Sequence, residues 1–280
     1  MRKYLITLTI ALIFLPASLS ARTIRLFSIG NSFSEDAVEQ FLYELCLEDK
    51  DTLIIGNAYQ SGYSLKQHWD DVCSQARNIE YCKVIKGKRY IYKNCRLDSL
   101  LKDEPWDIIT MQQVSQDAGD FPAFEPYLTN LISHIKATAI TKDVALGFHM
   151  TWAYAQNAKH PGFKKYGNNQ MKMYKAIVKT AKKVLKAHRE LSFLAPSGTA
   201  IQNARTSSIG DNLNRDGFHL NYGIGRYTVA CAWSELITGK SCVGKVYYPK
   251  DKGIHPSQVI LAQRAAHAAV NNPYRITKIK

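Results

Sequence analysis

The sequence predicts an α/β domain in three layers, with a parallel sheet covered by helices on both faces. Strand-like runs at 23–29, 52–58, 107–111, 144–150 and 191–195 alternate with segments of helical periodicity at 35–48, 64–76, 124–139, 168–188 and 222–238. Such alternation suits parallel strands, because each return to the same end of a sheet needs a crossover long enough to hold a helix. The length also fits one core, since single domains reach roughly 200 to 250 residues. One domain over 21–280 is therefore expected, with no internal repeat or low-complexity linker.

The first strand, Thr23-Ile24-Arg25-Leu26-Phe27-Ser28-Ile29, ends in the turn Gly30-Asn31-Ser32, and Glu35 and Asp36 give the following helix an acidic start. The second strand, 52–58, leads into the helix at 64–76. Residues 81–92 then alternate around Gly87 and read as a β-hairpin inserted beside the sheet, the insertion covering about 81–95. The third strand, 107–111, precedes the helix at 124–139, and the fourth, 144–150, precedes that at 168–188. In the latter, Met171, Tyr174, Ile177, Val178, Ala181, Val184 and Leu185 recur at helical spacing, which leaves Lys172, Lys175, Lys179, Lys182, Lys183 and Lys186 to the solvated face. The fifth strand, 191–195, and the helix at 222–238 follow. Periodicity then weakens until an Ala-rich stretch at 257–271, the expected last helix.

The chain begins Met1-Arg2-Lys3, continues through an apolar run at 4–15 and reaches the small residues Ala17, Ser18 and Ser20, the layout of a secretory signal peptide. Residues 1–20 are expected to be removed and the remainder exported to the periplasm or beyond the cell. The apolar run is short of the about 20 residues that a membrane span needs. Six cysteines in an exported chain are too sparse for a disulfide scaffold, and Cys82 and Cys95, flanking the hairpin, are the expected bridge. The formal charge of +14 raises nucleic acid as a partner, but no recognition motif or aromatic stacking stripe accompanies it. A solvated lysine face explains the charge, with acidic glycans as the alternative partner.

Chemistry concentrates at two places. Ser32 follows the first strand, where sites form beyond the carboxyl ends of a doubly wound sheet, and it adjoins a helix start whose free N–H groups favour negative charge. Asp216 and His219, in Asp216-Gly217-Phe218-His219, supply a carboxylate and an imidazole. An imidazole must be held in one tautomer before it can take a proton from a serine hydroxyl, and a nearby carboxylate does this. The plainer alternative makes Ser32 or Ser34 a helix cap and His219 a surface residue. The eight histidines show no pair at zinc-ligand spacing beside acidic partners, so no metal or other cofactor is expected.

On Gly30-Asn31-Ser32-Phe33-Ser34 and Asp216-Gly217-Phe218-His219-Leu220, the chain resembles the SGNH, or GDSL-type, hydrolases, and in particular an exported branch reading Gly-Asn-Ser-Phe-Ser early and Asp-Gly-x-His-Leu late. The resemblance implies a flavodoxin-like sheet ordered 2-1-3-4-5, with Ser32 as nucleophile, His219 as general base and Asp216 orienting it. It implies oxyanion donors at Ser32 and at Gly62, in Gln60-Ser61-Gly62-Tyr63-Ser64. The family's third donor is the asparagine of Gly-x-Asn-Asp, and here the chain departs: a glutamine amide stands in, Gln116 by its distance from the strand, with Gln112 and Gln113 as alternatives. Asn31, His149, Trp152 and Arg205 are the expected substrate contacts. The implied activity is serine esterase action on acylated, chiefly acetylated, carbohydrates without a cofactor. A non-catalytic glycan-binding protein on the same fold is the alternative.

Overall fold

In the computed structural model, which describes residues 22–280, the strands in chain order are β1 (Thr23–Gly30), β2 (Thr52–Tyr59), β3 (Ile79–Ile85), β4 (Lys88–Cys95), β5 (Ile108–Met111), β6 (Ala145–His149) and β7 (Leu191–Ala195). The expected signal peptide lies outside the described residues. The helices are α1 (Ser32–Val38), α2 (Leu42–Glu48), α3 (Leu65–Ser74), α4 (Leu97–Leu101), α5 (Tyr127–Thr138), α6 (Gln170–Ala187), α7 (Ser197–Ala204), α8 (Ile224–Thr238) and α9 (Pro256–Asn271).

The strands form one sheet in the order β4-β3-β2-β1-β5-β6-β7. Its five parallel members, β1, β2, β5, β6 and β7, follow the expected order 2-1-3-4-5 when counted among themselves. β1 lies at the centre because both its faces are apolar: Leu26, Phe27 and Ile29 are all buried. Helices α3, α4 and α5 pack together on one face, while α1, α2, α7, α8 and α9 pack together on the other.

The hairpin differs from its expected place. β3 pairs antiparallel with β2, Ile55 opposite Val84 and Asn57 opposite Cys82, so the hairpin continues the sheet instead of lying beside it. The outer edge of β2 would otherwise leave a row of N–H and C=O groups unpaired. Lys86 and Gly87, both at positive φ (50° and 73°), make the tight turn. The expected Cys82–Cys95 bridge is also corrected. Cys82 pairs with Ile91 and Cys95 with Ile79, a three-residue offset along the ladder. That offset amounts to about 10 Å, beyond the about 7 Å between Cα atoms that a disulfide tolerates, and both thiols are free.

The single helix expected at 35–48 is two. Helix α1 starts earlier, at Ser32, and the chain breaks after Val38, with Phe41 at φ 66°. The break turns the buried Glu39 inward, where its carboxylate accepts from Asn57 at 2.7 Å and pairs with Arg89. Helices α3, α5, α6, α8 and α9 match their expected positions to within about three residues at either end, α4 and α7 are additional to the expected set, and local chemistry sets the starts of α3 and α6. Ser64 and Gln67 close a capping box at α3, and Asn169 accepts from the Lys172 N–H at 2.8 Å at α6. Among the described residues no helix is long and apolar enough to cross a membrane.

Candidate active site

Gly30 ends β1 where nothing larger fits. A Cβ there would lie 2.7 Å from Ser34 Oγ and 2.9 Å from Gln112 Cδ. Asn31, extended at φ −143°, caps α1: its Oδ1 accepts from the Phe33 N–H at 3.0 Å, and its carbonyl accepts from the Ser34 N–H and hydroxyl at 2.9 and 2.7 Å. Ser32 is thereby the first residue of the helix, at the carboxyl end of the parallel strands, with its side chain directed to the loop between Asn214 and Leu220.

That loop brings the other two groups in. Asp216 Oδ1 accepts from the N–H groups of Phe218 (3.0 Å) and His219 (2.8 Å), which folds the four residues into a tight turn. Gly217 sits at φ 91° with Ala158 so close that a Cβ would meet its Cα at 2.8 Å. The second oxygen, Oδ2, lies 2.6 Å from His219 Nδ1, and His219 Nε2 lies 2.7 Å from Ser32 Oγ. The carboxylate can only accept, so Nδ1 carries the proton and Nε2 presents its lone pair to the Ser32 hydroxyl. Partial burial pushes the Asp216 pKa upward, but hydrogen bonds from the His219 ring and the two backbone N–H groups outweigh it and hold the carboxyl below its ordinary value. Trp152 stacks on Phe33 at 4.4 Å and donates from Nε1 to the Phe218 carbonyl at 2.7 Å, fixing the turn from beneath. The side chain of Asp216 is 40% exposed and that of His219 20%, so the triad opens to solvent on the Asp216 side.

The backbone N–H of Ser32 and that of Gly62 have no partner among the described residues. Gly62, at φ 68°, is in a turn tethered to the nucleophile loop by the Asn31 amide, which donates to the Tyr63 carbonyl at 2.8 Å. The three glutamines separate clearly. Gln112 is buried and donates to Asn31 Oδ1 at 2.8 Å. Gln113 is buried with its oxygen accepting from Leu65 and Val114 and its nitrogen donating to Ala123. Gln116 alone is partly exposed, in the 3₁₀ turn Ser115–Asp117 against Gly162.

The four expected substrate contacts are turned inward onto partners within the chain. Asn31 and His149 are 1% and 2% exposed, and each is held by internal hydrogen bonds. Trp152 is wholly buried under Phe33. Arg205 is buried and spent on the Ala153 carbonyl, Asn214 and Asp211; burial, only partly offset by Asp211, pushes its pKa down to about 10. A substrate reaching any of them would first have to break these bonds.

The residue that sequence reasoning missed is Asp36. Fully buried, it accepts from the Leu220 N–H at 2.8 Å, Arg226 Nε at 2.8 Å and Arg215 at 3.0 Å, and so ties α1 to both ends of the 216–219 turn. Arg215 also donates to the Leu220 carbonyl. The available signal was spacing: Asp36 stands four positions after Ser32, one helical turn along.

Two buried histidines make stability pH-dependent. His68 donates from Nε2 to the Gly30 carbonyl at 2.9 Å, and burial lowers its pKa to about 4 and that of His149 to about 3. Both folded values lie below the ordinary histidine value of about 6.5, so the unfolded chain binds the extra protons. Their stabilisation is complete above about pH 6.5 and is lost as pH falls toward about 4 and about 3, respectively. At pH 5 the two together cost up to about 4 kcal/mol. Urea midpoints at pH 7.5 and pH 5 check this: the midpoint falls sharply, and His68→Gln reduces the difference; equal midpoints contradict it.

The family described as Domain of unknown function (DUF4886) matches residues 25–269. A crystal structure of a DUF4886 family protein from Bacteroides uniformis is 43% identical and superposes with a TM-score of 0.87, covering 92% of this chain and all of that one. A candidate SGNH hydrolase from Slackia heliotrinireducens is 18% identical with a TM-score of 0.51, covering 77% of this chain and 99% of the other. At that identity the likeness speaks for the fold, the three-layer α/β arrangement of SGNH hydrolases. No curated protein matches the chain.

Proposed function

We propose that this chain, which belongs to the DUF4886 family, is an exported serine esterase that removes short acyl groups, chiefly acetyl, from carbohydrate esters. The observation that carries the proposal is the continuous pair of hydrogen bonds from Asp216 through His219 to Ser32. Ser32 Oγ attacks the ester carbonyl carbon while His219 Nε2 takes its proton. The oxyanion of the tetrahedral intermediate receives the N–H groups of Ser32 and Gly62, with the Gln116 amide as third donor. Collapse breaks the carbon–oxygen bond to the alcohol, which leaves with the proton from His219. Water, deprotonated by the same nitrogen, then attacks the acyl-enzyme, and Ser32 leaves with the proton returned.

The surroundings of the triad favour this substrate class. Asn31, Gln112 and Phe33, all buried, fill the space behind Ser32, which suits a short acyl group at the surface. Beside Asp216 lies a polar pocket of about 340 Å³ lined by Asn157, Lys159, Asp211, Asn212 and Asn214, suited to an alcohol rich in hydroxyls. Serine-directed labelling with a fluorophosphonate tests the nucleophile. The adduct is expected on Ser32 in peptide mapping, and His219→Ala is expected to slow its formation by orders of magnitude. No adduct, or one elsewhere, refutes the assignment and favours a non-catalytic glycan-binding protein on the same fold.

A further inference from the structure

A line of buried polar side chains crosses the carboxyl ends of the parallel strands, one from each of β1, β5, β6 and β7 in spatial order. Asn31 follows β1, Gln112 follows β5, His149 ends β6, and Ser197 begins α7 after β7; Trp233 of α8 closes the line. None of the five is more than 2% exposed. The steps are 2.8 Å from Gln112 Nε2 to Asn31 Oδ1, 2.9 Å between Gln112 Oε1 and His149 Nδ1, 2.9 Å between His149 Nε2 and Ser197 Oγ, and 3.0 Å from Trp233 Nε1 to Ser197 Oγ.

Chemistry gives this line one direction. Asn31 Oδ1 must be the oxygen, because it also accepts from the Phe33 N–H. Gln112 therefore turns its NH₂ to Asn31 and its oxygen to His149, so His149 carries its proton on Nδ1. Burial keeps that ring neutral, so its Nε2 accepts the Ser197 hydroxyl proton, and the Ser197 oxygen in turn accepts from Trp233. Each bond of the line thus pairs one donor with one acceptor. The far end of the line is Asn31, which joins it through its oxygen and whose nitrogen donates to the Tyr63 carbonyl and holds the Gly62 turn.

We propose that Gln112, His149 and Ser197 are positioning residues that lock the polarity and orientation of the Asn31 amide, and through it set the Ser32 and Gly62 N–H groups toward the oxyanion. The inference rests on the esterase assignment. Nothing in the line touches the substrate, so its loss weakens transition-state stabilisation and leaves ground-state binding alone. A small misplacement of such donors costs on the order of 10-fold to 100-fold in rate.

The test is steady-state hydrolysis of p-nitrophenyl acetate by wild type, Gln112→Leu and Gln112→Glu, each normalised to its fluorophosphonate-reactive fraction. Gln112→Leu is expected to lower kcat by about 10-fold to 100-fold with KM within twofold and an unchanged reactive fraction. Gln112→Glu keeps the shape but can donate toward Asn31 only as the neutral acid, with His149 the ionisable group facing it, so its kcat relative to wild type falls as pH rises. A wild-type kcat in Gln112→Leu, or a loss confined to the reactive fraction, overturns the positioning role while leaving the esterase assignment intact. Wild-type protein without turnover removes the assignment and the inference together.

Discussion

His219→Ala is expected to lower kcat for ester hydrolysis by roughly 10⁵-fold to 10⁶-fold, and Asp216→Asn by about 10⁴-fold or less. The first variant deletes the one base that, among the described residues, is hydrogen-bonded to the Ser32 hydroxyl, at 2.7 Å. The second replaces a carboxylate that must accept from Nδ1–H by an amide that can equally offer an N–H, so the ring loses its tautomeric preference. The Asp216 effect is held at or below the larger figure because that side chain is 40% exposed and water can partly replace it. Both losses should reside in kcat, with KM little changed, since neither group binds the ester in its ground state. Comparable kcat in wild type and His219→Ala would mean that the short contacts among the three residues are structural.

Asp36→Asn is expected to have the largest effect on stability. Asp36 is wholly buried between Arg226, 1% exposed, and Arg215. Removing the acid leaves a buried guanidinium short of its counter-charge, a loss of about 3 to 5 kcal/mol for a buried pair. In a domain of this size that lowers Tm by about 10 °C. Arg226 keeps Glu35 at 3.2 Å and the Tyr222 ring at 4.8 Å, which places the result toward the lower figure. Activity should fall as well, because Asp36 fixes Leu220 next to His219. Thermal unfolding and kcat per reactive site check the two effects; an unchanged Tm contradicts the clamp.

What the sequence made legible follows from what is local. The strand at 23–29 and the helix at 168–188 rest on periodicity and on turn chemistry, the sheet order rests on the resemblance to the SGNH hydrolases, and the structure carries all three. Ser32, Asp216 and His219 could be singled out because each sits in a short turn whose glycine and amide residues announce it, and the structure brings the three together. What was not legible depends on partners far along the chain. The break at 39–41 answers to Asn57 and Arg89, contacts 18 and 50 positions away. Asp36 owes its role to Arg215 and Arg226, at 179 and 190 positions. The register that separates Cys82 from Cys95 is set by the tight turn at Lys86 and Gly87. His149, Trp152 and Arg205 carry polar groups of the kind that lines pockets. Only the packed structure shows those groups turned inward and satisfied.

The most direct test of the account is p-nitrophenyl acetate hydrolysis by the purified protein beside Ser32→Ala, a variant that removes one oxygen atom from the half-buried first residue of α1. Wild-type turnover that falls to the uncatalysed background in Ser32→Ala is the predicted result. Turnover that survives in Ser32→Ala, or is absent from both proteins, would contradict it.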